Sequence, residues 1–380
     1  MIGKMINWFL IITFFICSHV STSTSANSAG RVEYLPGFQG PLPFYLETGY
    51  VGVDENEDVQ LFYYFIRSES DPELDPLMLW ITGGPGCSSI SGLLYEIGSI
   101  KFEALYYDGS FPTLILSPNS WTKMASIIFL DLPVGTGFSY ARTTRASHST
   151  DIQLCDQAYE FMRKSLFHTC RGEYRSEYIS TSNLVCRQTL ELYHECVDGI
   201  ETAHVLEPRC DSIFQIKLPT QKLLNEHNRV SSSYCRTDGY NLVYYWINEA
   251  SVREALHIRK GTITDWIRCK SDLNFTKTLS DVRPYHLNLS NKGYRSLVYS
   301  GDHDMIIPYQ STEAWIKDLN YSVIDRWRSW KLNGQIAGYT ESYSNMMTYA
   351  TVKGGGHTAP EYKPEECFAM FKRWISNQPL

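Results

Sequence analysis

Two short apolar runs, each ending in a glycine-rich loop, constrain this chain most. LMLWI (77–81) leads into TGGPGCSS, and ASIIFL (125–130) leads into DLPVGTGFSY. An apolar run of this length before a Gly/Pro cluster reads as a strand buried on both faces, as a parallel sheet needs. Helical patterns follow each run. SISGLLYEIG opens one helix, and QLCDQAYEFMRKSL (153–166) sets Leu154, Ala158, Phe161, Met162 and Leu166 on one face of another. Strand, helix, strand, helix in this order predicts an α/β fold with helices on both sides of a parallel sheet. Ahead of them FYLETGYVGVDENEDVQLFYYFIR (44–67) alternates apolar and polar residues and reads as a long β-hairpin around the acidic turn DENED.

A sheet of this kind next requires another buried strand, and none arrives. MRKSLFHTCRGEY runs straight into a polar stretch crowded with Cys170, Cys186, Cys196, Cys210 and Cys235. Order returns at NLVYYWINEASVREALHI (241–258), a helix with Asn248 as its cap. SLVYSGDHDMIIP (296–308) is a buried strand ending in Asp302 and Asp304. Residues 327–357 read as an antiparallel or edge hairpin and then a last strand that delivers His357 after three glycines. PEECFAMFKRWISNQ is an amphipathic closing helix.

Charge and cysteine content narrow the function classes. The net charge of -7, with no run of Lys or Arg, excludes a nucleic-acid partner. The first residues carry Lys4, a ten-residue run from Trp8 to Cys17 that is apolar apart from Thr13, and then small residues. That is a secretory signal peptide over 1–26, too short to span a bilayer, and it leaves a single domain over 27–380 with no membrane attachment. Three N-x-[ST] sequons, at Asn274, Asn288 and Asn320, are glycosylation acceptors in that setting. Of ten cysteines nine remain once Cys17 leaves, and in an oxidising compartment the crowded ones read as a disulfide-stapled insertion over about 167–240. His194-Glu195-Cys196 lacks zinc-site spacing, and the sequence requires no metal or other cofactor.

The chemistry rests on order. An acidic residue after one strand and a histidine after a later one follow the Ser, Asp, His chain order of an α/β-hydrolase. In that scheme the acid orients the imidazole and the imidazole takes the serine proton. The glycines of the first loop supply backbone N–H groups at the same sheet edge, as an oxyanion hole requires.

TGGPGCSS (82–89), DLPVGTGFSY (131–140), SGDHDMIIP (300–308) and KGGGHTAPEY (353–362) together resemble the serine carboxypeptidase-like family, from about Val32 to Leu380. The form is similar to its plant-type branch, which includes acyltransferases that use sugar esters. The resemblance implies an α/β-hydrolase fold with a central, mostly parallel sheet and a Cys-rich helical insertion. It implies Asp304 as the triad acid, His357 as the base and the Gly84 N–H as an oxyanion donor. Thr82 and Gly83 would line the substrate site, as would Glu96, which otherwise reads as a helix-surface glutamate. It also implies disulfides Cys87–Cys269, Cys170–Cys186 and Cys210–Cys235, leaving Cys155, Cys196 and Cys367. The partner would be a peptide C-terminus or a sugar ester, and the location secreted or vacuolar.

The family's nucleophile elbow, G-[ED]-S-Y-[AS]-G, has no counterpart here. It belongs between the helix at 153–166 and the insertion, and nothing from Ser165 to Thr169 matches it. One central strand is expected to be lacking with it, with the junction at 165–169. Ser342 lies in the same three letters, Glu341-Ser342-Tyr343, but Thr340 and Asn345 stand where the elbow needs glycines. Ser88 and Ser89 lack the second glycine. Three readings follow. One is a secreted, catalytically impaired member keeping Asp304 and His357. Another is an active carboxypeptidase or sugar-ester-dependent acyltransferase with an unrecognised nucleophile. The third is a non-catalytic ligand-binding module.

Overall fold

The structure, a computed structural model, describes residues 29–54, 56–165, 201–207 and 236–380. The signal segment, the sequence after Ser165 at the junction, His194, Glu195, and Cys170, Cys186, Cys196, Cys210 and Cys235 lie outside the described residues.

Two mixed sheets carry the molecule. The first has the order β1 (Gly30–Tyr34), β2 (Pro41–Val53), β3 (Val59–Ile66), β5 (Ser126–Leu130), β4 (Leu77–Trp80), with Tyr140–Ala141 also pairing β3. The second has the order β6 (Ser296–Gly301), β9 (Met347–Val352), β8 (Gln335–Tyr343), β7 (Val323–Leu332). The expected hairpin is β2 and β3, in register from Leu46 opposite Ile66 to Val53 opposite Val59. Its strands turn around residues 54–58, where the sequence placed DENED.

Among the described residues the sheets are mixed. Only β4 with β5 and β6 with β9 run parallel within these sheets, and the remaining pairs are antiparallel. Short turns account for β1 with β2, β2 with β3, β7 with β8 and β8 with β9, because only antiparallel neighbours can be joined by a few residues. β3 with β5 and with Tyr140–Ala141 pair antiparallel across long stretches of chain. The parallel pairs lie where the two sheets meet the glycine-rich loops. Among the described residues β4 and β6 are each paired on one side only. The expected burial of the first apolar run is correspondingly incomplete: Leu77 is 39% and Ile81 40% exposed.

Period-two alternation divides the first sheet between two cores. Phe62, Tyr64, Ile66, Ile127 and Phe129 enter the main core, while Leu61, Tyr63, Ile128 and Leu130 face a second cluster on the other side. Helix α1 (Asp151–Ser165) covers that second cluster with the buried ring of Phe161, and Leu154, Ala158 and Met162 pack around it.

Residues 241–258 do not make one helix. They contribute to α2 (Arg236–Ile247) and α3 (Ala250–Ala255), which part at Asn248. Asn248 caps neither by a bond to a first-turn N–H. Its amide donates to the carbonyls of Tyr244 (3.0 Å) and Trp266 (2.9 Å), and its oxygen accepts from Arg253 (2.6 Å) and the Trp266 N–H (2.9 Å). Those bonds satisfy polar groups that the break would otherwise strand.

Helix α4 (Tyr309–Asp318) buries Ile316 against Tyr343, Met347 and Tyr349 of the second sheet. The closing helix α5 (Pro364–Ile375) buries Cys367, Met370 and Phe371 at i, i+3 and i+4. Phe371 stacks on Trp121 at 4.2 Å, and Arg373 lies over Trp330 of β7. The closing helix is thereby tied to the short helix at Trp121–Lys123 and to the second sheet. Among the described residues no helix is long and apolar enough to cross a membrane.

Candidate active site

The three glycines before His357 are there because two backbones touch. A Cβ on Gly301, the last residue of β6, would stand 2.3 Å from the Gly355 carbonyl and 2.4 Å from that of Gly356. Gly354 has φ +73°, a left-handed turn that favours glycine. The His357 loop therefore lies directly on the end of β6, from which Asp302 and Asp304 emerge. The Asp302 N–H donates to Val352 O (3.2 Å) and the His303 N–H to Gly355 O (2.9 Å).

Asp304 and His357 meet as expected. His357 Nδ1 donates to Asp304 Oδ2 at 3.0 Å, and the other carboxylate oxygen accepts from the Ile306 and Ile307 N–H groups at 2.8 and 3.2 Å. Asp304 thus caps its own turn and holds the imidazole with one carboxylate. Its side chain is buried, whereas that of His357 is 40% exposed. The hydrogen bond to Asp304 holds the His357 pKa above the ordinary imidazole value, against the opposing effect of burial. Among the described residues no serine hydroxyl reaches His357 Nε2. Asp302 takes another part, accepting the Gly354 N–H at 2.7 Å.

Ser342 is excluded by register. It pairs with Thr348 near the start of β9, while His357 follows the far end of that strand at Val352. Four residues of strand already separate them by about 13 Å. Ser88 and Ser89 are buried and bonded elsewhere: Ser88 Oγ donates to Asp131 Oδ1 and Ser89 Oγ to Leu130 O, both at 2.6 Å.

The first glycine loop leaves β4 through Thr82. The Thr82 N–H donates to Ser89 Oγ (3.2 Å), and its hydroxyl accepts from the Trp80 indole (3.2 Å). Gly83 and Gly84 are exposed, and their N–H groups have no partner among the described residues. Gly86 must be glycine. Its φ is +109°, and a Cβ there would stand 2.4 Å from Lys270 O. That close approach accompanies the Cys87–Cys269 disulfide, which forms as the resemblance implied, flanked by Ser88 N–H to Arg268 O (2.8 Å) and Lys270 N–H to Gly86 O (3.0 Å).

Glu96 is half-buried. Burial and the nearby Glu361 carboxylate push its pKa up to about 8, with Arg268 and His357 acting in the opposite sense. It therefore stands within electrostatic reach of His357. Around it Tyr240 donates to Glu361 Oε2 (2.9 Å), Arg236 pairs with Glu207 (2.7 Å) and Glu361 (3.4 Å), and Arg268 lies over the Tyr240 ring at 3.7 Å.

Sequence reasoning passed over Asp131, which is fully buried. It accepts from Ser88 Oγ, from the Ser89 N–H (2.9 Å) and from the Phe138 N–H (3.0 Å), so it ties the first glycine loop to the second. Burial raises its pKa to about 6 despite those bonds. The signal was available as an aspartate at the end of a wholly apolar strand.

These shifts share one sign. Glu96 and Asp131 titrate higher in the folded protein than their ordinary values, 4.5 and 3.8, and His357 higher than 6.5. The folded state then holds more protons, and their stabilisation is lost as pH rises through the folded values. We expect the thermal midpoint to fall between pH 5 and pH 8, and Glu96→Gln to flatten the upper part of that fall. A midpoint that rises over this range contradicts the assignment.

Asn274, Asn288 and Asn320 are all exposed. Cys155 and Cys367 are free thiols, exposed and buried respectively. No cluster of metal-ligating side chains occurs among the described residues.

The serine carboxypeptidase family model matches residues 36–181 and 163–377. The chain belongs to the serine carboxypeptidase family. This family member is 40% identical to Serine carboxypeptidase-like 10 of Arabidopsis thaliana over 459 aligned positions, covering 100% of both chains. It is 40% identical to Serine carboxypeptidase-like 9 of the same plant over 454 positions, covering 98% and 100%. The serine carboxypeptidase-like chain also superposes on the crystal structure of Kex1(delta)p, a prohormone-processing carboxypeptidase from Saccharomyces cerevisiae. The TM-score is 0.62 at 18% identity, covering 91% and 95% of the two chains, which establishes the α/β-hydrolase fold alone. The two family-model segments overlap over 163–181, from the last residues of α1 onward. An alignment of 459 positions that uses all 380 residues leaves about 79 positions without a residue of this chain.

Proposed function

We propose that this is a secreted serine carboxypeptidase-like protein that keeps the acid and base of the triad, Asp304 and His357, but has no serine nucleophile. It would occupy its ligand, a peptide C-terminus or a sugar ester, without acyl-enzyme turnover. The observation that carries the reading is the outer nitrogen of His357, for which no described serine hydroxyl is within reach. Support comes from the two family-model segments overlapping where the elbow should begin, and from β4 and β6 each presenting an edge unpaired by the described residues. The exposed N–H groups of Gly83 and Gly84 and the raised pKa of Glu96 fit a retained binding cleft around a negatively charged or carbonyl oxygen. The signal-like N-terminus, the exposed sequons and the Cys87–Cys269 bond fit export.

Turnover tests it. With activated esters and N-terminally blocked dipeptides that keep a free C-terminal carboxylate, wild type and His357→Ala should hydrolyse at the same background rate. A rate above background that disappears in His357→Ala would show that a nucleophile is present.

A further inference from the structure

The segment Glu201–Glu207 lies in what the sequence reads as a Cys-rich insertion, yet it touches both loops of the Asp304–His357 pair. On the His357 side, the His357 N–H donates to Ala203 O (2.8 Å), and a Cβ on Gly356 would stand 2.4 Å from that same carbonyl. On the Asp304 side, the Met305 N–H donates to Thr202 O (2.9 Å) and the Val205 N–H to His303 O (3.0 Å).

One side chain of this segment, His204, joins both loops at once. It is 9% exposed, and its Nε2 lies 3.2 Å from Gly354 O and 3.2 Å from His303 Nδ1. A carbonyl can only accept, so Nε2 carries the proton. His303 Nδ1 must then accept, which leaves the proton of neutral His303 on Nε2, 3.7 Å from Asp302 Oδ1. Asp302 Oδ1 in turn accepts the Gly354 N–H. The one Nε2 proton of His204 is thus shared between Gly354 O and His303 Nδ1, and His303 stands in electrostatic rather than hydrogen-bonding range of Asp302, so the two loops are linked through His204. The His204 imidazole stacks on Tyr362 at 4.8 Å, and Arg236 covers the same tyrosine at 4.0 Å while pairing with Glu207 and Glu361.

We propose that His204 is a positioning residue for the Asp304–His357 pair, holding the loop of one against the loop of the other through Gly354 and His303. The inference rests on reading Asp304 and His357 as a hydrogen-bonded acid–base pair and not on whether a serine is present. It gives the insertion a task at the site that its polar, Cys-rich sequence does not advertise.

The test is proton NMR of the full-length secreted protein with 15N-labelled histidine. A proton shared between a buried carboxylate and an imidazole Nδ1 resonates far downfield, and His357→Gln identifies the signal. The Trp330 indole N–H, which donates to Thr351 O at 3.0 Å, reports that the second sheet is folded. In His204→Ala we expect the downfield resonance to be lost and the His357 titration to move toward that of a free imidazole, with the Trp330 signal unchanged. In His204→Gln, whose amide N–H reaches for the same carbonyl, we expect the resonance to return at least in part. A downfield signal that persists unshifted in His204→Ala overturns the inference and leaves the pair intact. Loss in both variants together with the Trp330 signal also overturns it, since the segment is then needed for folding and not for positioning. Absence of the resonance in wild type itself would count against the Asp304–His357 pair.

Discussion

Gly301→Ala is expected to separate Asp304 from His357. The added Cβ would sit 2.3 Å from the Gly355 carbonyl and 2.4 Å from that of Gly356, and neither is the tip of a flexible side chain. Both belong to the backbone that delivers His357. Restoring ordinary contact requires moving that backbone by about 1 Å, and overpacking of this kind costs about 1–3 kcal/mol. The upper end applies here, because the displaced loop also carries the His303 N–H to Gly355 O bond and the contact with Ala203 O. Thermal unfolding should show a clearly lowered midpoint, and the His357 titration should shift toward the free value. A variant as stable as wild type, with an unmoved titration, would mean that the loop does not lie on β6 as described.

Removing the Cys87–Cys269 bond should have a still larger effect. The two residues are 182 positions apart, and closing a loop of that length restricts the unfolded chain by about 5 kcal/mol in the chain-entropy account. Any further disulfide within the loop would lower that figure. The bond also fixes the first glycine turn, since Gly86 and Ser88 pair with Lys270 and Arg268 on either side of it. Cys269 is exposed, so a reductant can reach it. Cys87→Ser with Cys269→Ser, or mild reduction of wild type, should lower the unfolding midpoint steeply and loosen residues 82–89 in hydrogen exchange. Equal stability before and after reduction would show that the bond does not form in solution.

Some of this was legible in the sequence because it depends on local pattern. The hairpin at 44–67 shows two strand-length, apolar-rich runs and turns where the acidic residues cluster. The Asp304–His357 pair is announced by an aspartate after an apolar strand and a histidine after three glycines. Other features depend on partners far away along the chain. Asp131 stands out as an aspartate at the end of an apolar strand, but its role as acceptor toward Ser88, Ser89 and Phe138 depends on how the two glycine loops meet. Glu96 follows a helical pattern, so its placement beside Glu361 and His357 could not be read from spacing. His204 sits among polar residues with no periodicity, and its importance comes from bonds to residues 99 and 150 positions away. The apolar run at 77–81 reads as fully buried because sequence records hydrophobicity and not whether a second neighbouring strand is present. Asn248 reads as a cap, yet the break between α2 and α3 is fixed by Trp266 and Arg253, which no helix rule includes.

The most direct measurement is labelling of the secreted protein with a fluorophosphonate probe, wild type beside His357→Ala, with the tagged peptide mapped by mass spectrometry. The account predicts soluble protein that takes no label in either form. A serine labelled in wild type and unlabelled in His357→Ala would contradict it, and its position would identify the nucleophile that His357 serves.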